Sequence, residues 1–215
     1  MQTNPIVKGK LVCVALNDQQ QLESLQTTFS EKPYQQPPTQ PVLYFKPHNT
    51  WSVDGTDIAW QDNGLVVGAS LAVVIGKECC RVSTEQALES IGGYTLVHDF
   101  SLPEQSYYRP DIKGKCLDGS APVGAQVVAA SDVSEPQALV VTTKVNGTTV
   151  NEQPVNQLCR SVAELIHSIS FIMTLQPGDL IAVGFPGDRI VLQPGDQVSS
   201  EISGLVTLNN TVAGA

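Results

Sequence analysis

His98 and Asp99 stand side by side near the end of one apolar run, where a carboxylate or an imidazole could handle a proton. The other chemistry-bearing groups are mostly cations. Lys46 closes a second apolar run, and Arg109, Lys113 and Lys115 share one polar stretch with Asp118. Positive groups at strand ends facing a buried carboxylate are what a small polyanionic substrate requires. By spacing alone the same residues also read as ordinary surface lysines. Adjacent residues of a strand point to opposite faces, so His98 should turn away from Asp99 into core or interface. The remaining histidines, His48 and His167, are scattered, and His167 reads as structural. No P-loop, no GxGxxG after a strand, no GxSxG and no HExxH is present.

Five cysteines, Cys13, Cys79, Cys80, Cys116 and Cys159, lack framework spacing and read as reduced thiols of a cytoplasmic protein. Cys79 and Cys80 adjoin, so in a strand they cannot easily clamp one ion together. The chain of 215 residues carries 12 Lys+Arg against 21 Asp+Glu, a formal charge of −9. With no basic run, nucleic acid is excluded as the main partner. The apolar runs are too short to span a membrane, and the polar Gln19–Gln21 offers no leader cleavage site. The length suits one domain, residues 1–215.

The elements that must position these groups follow from periodicity. Lys10–Leu16 reads as a buried strand and Gln19–Phe29 as a weakly amphipathic helix. Residues 31–41 hold four prolines in eleven and read as a lid or edge strap. Residues 1–41 thus form a strand, a helix and a lid-like segment ahead of a core over 42–212. Within the core, Val42–Phe45, Leu65–Ile75, Tyr94–Phe100, Val127–Ala130 and Ala138–Val145 read as strands, and Asn146-Gly147 as a hairpin turn into Thr148–Val150. Ser83–Ile91 is a capped helix, with Gly92-Gly93 expected to stop it. Val155–Met173 carries Leu158, Val162, Leu165, Ile166, Ile169 and Ile172 at helical intervals and predicts the longest helix. The sequence LQPGD occurs at Leu175–Asp179 and Leu192–Asp196, each a turn into a strand, over Leu180–Val183 and Gln197–Ile202. The predicted class is α+β, predominantly β: a rolled mixed sheet with two or three helices.

Five ordered blocks, LAVVIGK (Leu71–Lys77), IGGYTLVHDFS (Ile91–Ser101), KCLDGSAPVG (Lys115–Gly124), VNG (Val145–Gly147) and SVAELIHSISFIMTLQPGDLIAVGFP (Ser161–Pro186), resemble the successive motifs of the fumarylacetoacetate hydrolase family. Val12–Leu25, Tyr44–Thr50 and Asp99–Gly119 are most similar to one branch, the first half of the bifunctional isomerase/decarboxylases of bacterial 4-hydroxyphenylacetate breakdown. The resemblance implies a β-roll of the family's C-terminal-domain type, and the length suits a free-standing first half.

It also implies Mg²⁺ or Mn²⁺ held by a Glu-x-Glu pair and a following Asp, gripping a 2-keto acid and its enolate. Asp99 matches the third ligand, but Gly68 and Ser70 stand where the Glu pair belongs, so no metal is expected. The family's lid dyad, His-x-x-Glu, is Gln21 and Ser24 here, its Gly-Thr-Pro threonine is Phe185, and the arginine after the ligand Asp is Pro103. Hydrolysis therefore fits poorly. A metal-free isomerase or decarboxylase acting on a 2-hydroxy-dienedioate or oxo-tricarboxylate remains. In it Lys115 and Lys46 hold carboxylates and offset enolate charge, Asp99 or His98 shuttles the proton, and Arg109, Lys113 and Asp118 help bind. Equally open is a non-catalytic partner of a metal-bearing homologous chain; a plain binder of di- or tricarboxylates is a third reading. Each implies a homodimer or a hetero-oligomer with such a sister subunit.

Overall fold

Leu65–Ile75 and Ile91–Ser101 are both eleven-residue strands, and nearly every residue of each is buried. Burial on both faces explains why they read as continuous apolar runs rather than as alternation. The computed structural model describes residues 7–104, 106–109 and 111–214. Its strands are β1 (Leu11–Ala15), β2 (Val42–Phe45), β3 (Trp51–Val53), β4 (Asp57–Ile58), β5 (Leu65–Ile75), β6 (Ile91–Ser101) and β7 (Ala121–Val123). They continue as β8 (Val128–Ala129), β9 (Val140–Val145), β10 (Thr148–Pro154), β11 (Leu180–Ala182), β12 (Ile190–Leu192), β13 (Gln197–Ile202) and β14 (Val206–Val212).

One sheet runs β2-β1-β11-β5-β6-β7-β3, with β12 also on β5 and β8 also on β6; the other runs β10-β9-β13-β14-β4. Parallel pairs (β1 with β11, β3 with β7, β14 with β4) sit among antiparallel ones, which makes both sheets mixed. The α+β, mainly β architecture is as the periodicity predicts. β1, from the N-terminal stretch, lies inside the larger sheet between β2 and β11. One apolar cluster joins β1, β5 and β6 to β9, β13, β14 and the last helix. No helix among the described residues is long and apolar enough to cross a membrane.

Helices are shorter and more numerous than predicted: α1 (Gln19–Ser24), α2 (Gln26–Ser30), α3 (Thr84–Ala87), α4 (Ile112–Lys115) and α5 (Val162–Ile172). The expected helix over 19–29 breaks at Leu25, which caps α1 and opens α2. The long helix begins at Val162 rather than Val155. Val155–Gln157 form a 3₁₀ turn, after which Asn17 takes the backbone N–H groups of Cys159 and Arg160, at 2.8 and 3.0 Å, keeping them out of the helix until Ser161 and Glu164 close a capping box. Ile172, counted on the apolar face, is exposed at its end.

Gly92-Gly93 does not end a helix. Both lie in β6, where Val74 pairs Gly93 and Ile75 pairs Ile91, leaving Gly92 as a bulge. A β-carbon on Gly92 would lie 2.9 Å from the Gly76 α-carbon, so two backbones meet where no side chain fits. Asn146 and Gly147 have φ of 51° and 80°, the left-handed pair of a tight hairpin. The two LQPGD turns are alike: Asp179 and Asp196 each accept from the backbone N–H three residues back, at 2.7 Å.

Candidate functional site

Gly68 on β5 pairs directly with Asp99 on β6, and this pair of opposed residues is the floor of the site. Strand alternation turns Asp99 one way and His98 the other. His98 is fully buried between the sheets, with Nδ1 2.9 Å from Asn210 Oδ1 and Nε2 2.8 Å from Ser200 Oγ. Burial lowers its pKa to about 4 against the opposing Asn210 bond, so the ring is neutral near pH 7. The expectation that His98 shuttles a proton is not met by this placement, because the strand's pleat turns it away from Asp99 and onto Ser200 and Asn210.

Asp99 is fully buried and surrounded by cations. Lys46 Nζ lies 2.6 Å from Oδ1; Lys115 Nζ and Arg189 Nη2 lie 3.2 and 3.0 Å from Oδ2. The Tyr44 hydroxyl donates to Oδ2 at 2.6 Å. Burial alone would raise the carboxyl's pKa, but Lys115, Lys46 and Arg189 together hold it well below the usual carboxylate range. Both of its oxygens are taken up by these partners, so the structure places Asp99 as the anchor of the cations. Burial, then the nearby Asp99 charge, keep Tyr44 a neutral phenol and push the buried Cys13 thiol up to about 12.

Above this floor opens a cavity of about 620 Å³ whose walls include Tyr44, Glu104, Tyr107, Lys115, Phe185 and Arg189. Lys115 ends α4, whose start is fixed by Asp111 accepting from the Gly114 N–H at 2.9 Å. Its ammonium reaches Asp99, Ser101 Oγ at 3.3 Å and Glu104 at 3.5 Å. Glu104 is partly buried, and its pKa is raised: burial outweighs the attraction of Lys115 and Arg189. Arg189, in the loop between β11 and β12, lies with its Cζ 4.6 Å from the centre of the Phe185 ring.

The other expected residues scatter. Lys46 belongs to the floor and not to the cavity wall: its Nζ donates to the carbonyls of Lys115 and Phe100 at 2.8 and 3.3 Å and to Ser120 Oγ at 3.3 Å. Arg109 is exposed on the cavity rim, whereas Lys113 is exposed outside it. Asp118 accepts from Asn49 Nδ2 at 2.6 Å, away from the cavity. The proline-rich strap does border the site's wall: Tyr34 stacks edge-on against Phe29 and Tyr108 and accepts from the Tyr107 N–H at 3.0 Å.

Arg189 and Glu104 are the site residues that spacing missed. Arg189 is 90 positions from Asp99 and belongs to no motif, although a retained Asp99 beside a missing ligand pair signals that some other cation must face it. Glu104 stands five residues past Asp99 in a stretch that reads only as polar loop.

The model of the fumarylacetoacetate hydrolase C-terminal domain matches residues 10–213. The chain is 41% identical over 207 residues to a 4-hydroxyphenylacetate degradation bifunctional isomerase/decarboxylase of Salmonella dublin, covering 96% of this chain and 47% of that protein. It therefore spans about half the length of the curated relative. Among solved structures, 5-carboxymethyl-2-hydroxymuconate delta-isomerase from Mycobacterium smegmatis superposes with a TM-score of 0.83 at 27% identity, over 99% of this chain and 79% of that one. Fumarylpyruvate hydrolase from Pseudomonas aeruginosa, in complex with Mn²⁺ and pyruvate, gives 0.83 at 25% identity, over 96% and 90%.

Proposed function

The chain belongs to the fumarylacetoacetate hydrolase family, and from that premise we propose that it is an isomerase/decarboxylase unit working by keto-enol proton transfer on a 2-hydroxy-dienedioate or an oxo-tricarboxylate. The setting is the cytoplasmic breakdown of 4-hydroxyphenylacetate, where five unpaired thiols are at home. One observation carries the reading: Lys115 and Arg189 line the cavity above the buried Asp99 that both contact, with the Glu104 carboxyl 3.5 Å from the Lys115 ammonium.

In isomerisation the dienol loses its 2-hydroxyl proton, the double bonds shift, and a diene carbon takes up a proton; nothing is oxidised or reduced. Lys115 offsets charge on the 2-oxygen and the adjoining carboxylate, Glu104 carries the proton, and the apolar wall keeps water out. Arg109, on the cavity rim, meets the far carboxylate in this reading. Lys46 serves by holding Asp99 in place.

A second reading, a non-catalytic partner of a metal-bearing homologous subunit, is favoured by Gln21. It stands at the family's dyad position, cannot take a proton, and donates to the Tyr107 hydroxyl at 2.7 Å. The two readings separate in one assay, in which the purified chain meets 2-hydroxyhepta-2,4-diene-1,7-dioate and the dienol's ultraviolet absorbance is followed. Protein-dependent decay that Lys115→Ala and Glu104→Gln abolish supports the enzyme. A flat trace that turns active only on adding a metal-bearing sister chain supports the partner.

A further inference from the structure

In a family whose members include a Mn²⁺ complex with pyruvate, a divalent cation at Asp99 is the expected occupant. The residues present do not fit it. Gly68 supplies no ligand, and the Ser70 hydroxyl already donates to Leu71 O at 2.8 Å and accepts from the Gly184 N–H at 3.3 Å. No group of three His, Cys, Asp or Glu that could hold a metal occurs among the described residues. Asp99 is a single carboxylate whose oxygens are already engaged by Lys46, Lys115 and Arg189, which leaves a hard dication no anionic oxygen to displace its water for.

The space is also taken. A β-carbon built on Gly68 would collide with Arg189 Nη1 and come within 3.1 Å of Cζ and 3.2 Å of Cδ. The guanidinium thus lies where any side chain at Gly68 would project. From there it reaches Asp99 Oδ2 at 3.0 Å and the Asp99 carbonyl at 3.4 Å. Two of its five N–H donors go to these bonds, the Tyr44 hydroxyl is a further hydrogen-bond partner, and the side chain forms part of the cavity wall.

We propose that Arg189 stands in for the divalent cation: its guanidinium, seated in the cleft left by Gly68 and anchored on Asp99, binds the 2-oxo acid carboxylate end of a ligand directly, and the chain takes no Mn²⁺ or Mg²⁺ there. A guanidinium suits the role because its planar fork matches a carboxylate in two parallel bonds and stays charged at any physiological pH. The proposal deepens the functional reading above by naming what holds the substrate's reacting end, and it rests on that reading for the choice of substrate class.

Its test does not depend on turnover. Oxalate, a planar mimic of an enolised 2-oxo acid, is titrated by calorimetry into the full chain in excess EDTA, and Mn²⁺ is titrated separately while free Mn²⁺ is followed by electron paramagnetic resonance. The expected results are oxalate binding in EDTA, weakened at least tenfold in Arg189→Gln, and no Mn²⁺ uptake by the unmodified chain. Gly68→Ala, which keeps the arginine and evicts it from its seat, should weaken oxalate as Arg189→Gln does, so one poorly folding variant does not remove the test. The triple variant Gly68→Glu/Ser70→Glu/Arg189→Ala should gain stoichiometric Mn²⁺ binding. Asp99-dependent Mn²⁺ uptake by the unmodified chain would overturn the proposal, as would oxalate binding that needs Mn²⁺ or that neither Arg189→Gln nor Gly68→Ala changes. If oxalate binds as expected while the dienedioate is not turned over, the functional reading fails and the arginine site stands.

Discussion

At the residue scale the site is one anion shared by three cations, and its behaviour follows from that imbalance. Lys46, Lys115 and Arg189 all lie within 3.2 Å of Asp99, which is itself fully buried. Removing the anion leaves confined positive charge without a partner, so Asp99→Asn should cost on the order of 3–5 kcal/mol, read from urea unfolding at pH 7. A loss under 1 kcal/mol would mean the cations are solvated, not trapped. The sign of the acid dependence follows as well. The folded pKa of Asp99 is depressed, so its contribution is complete above the unfolded carboxylate's range and is lost as pH falls through the folded value. Glu104 behaves oppositely, with a raised pKa. A base must be ionised to act, so kcat/KM should fall on the acid side with an apparent pKa above that of an ordinary glutamate. Glu104→Gln should abolish that limb together with the activity; a limb that persists in an active Glu104→Gln enzyme would assign the proton to another group.

At the element scale the site depends on β5 and β6 keeping register, because Gly68 meets Asp99 only while their ladder is intact. The bulge at Gly92 ends that ladder against Gly76. Gly92→Ala would press a methyl group onto backbone, which cannot move aside as a side chain can, and should cost about 1–3 kcal/mol in denaturant unfolding. Gly64→Ala serves as the comparison: its turn has φ of 89° but no atom closer than 3.6 Å to the added carbon, so its cost is strain rather than collision. Strand positions were legible in the sequence because buried strands are runs of Val, Leu and Ile; β14 went unread because Val206, Leu208 and Val212 alternate with Asn and Thr. Helix ends were less legible. Residues 155–157 form only a 3₁₀ turn, and the break before Val162 is set by Asn17 at residues 159–160, which is distant in sequence and carries no local signal. Asp99 and Lys115 were legible through motifs, whereas Arg189 and Glu104 reach the site through tertiary placement that spacing does not encode.

At the scale of the whole molecule the two sheets are joined through His98, which reaches from β6 to Ser200 on β13 and Asn210 on β14. Its pKa is about 4 folded against 6.5 for a free ring, so the unfolded chain takes up the proton first. Stability is therefore complete above pH 6.5 and drains away as pH falls toward 4, by about 2 kcal/mol at pH 5. His98→Gln should begin less stable yet lose this slope between pH 7 and 5; equal slopes in both proteins would place the acid sensitivity elsewhere. The two faces of β6 thus hold different tasks, His98 tying the sheets together and Asp99 anchoring the cations of the site. The seat of Arg189 against Gly68 carries a consequence for ancestry. A glutamate at Gly68 is one nucleotide away from glycine for some codons, yet it meets the guanidinium at once. Because the guanidinium is the far end of a flexible side chain, a first substitution at Gly68 pushes it off Asp99, whereas a first loss of Arg189 leaves Asp99 to Lys46 and Lys115 alone. In either order, one step alone leaves Asp99 without its arginine and without the second carboxylate that a divalent cation needs, so on the proposed role of Arg189 the two changes succeed only together.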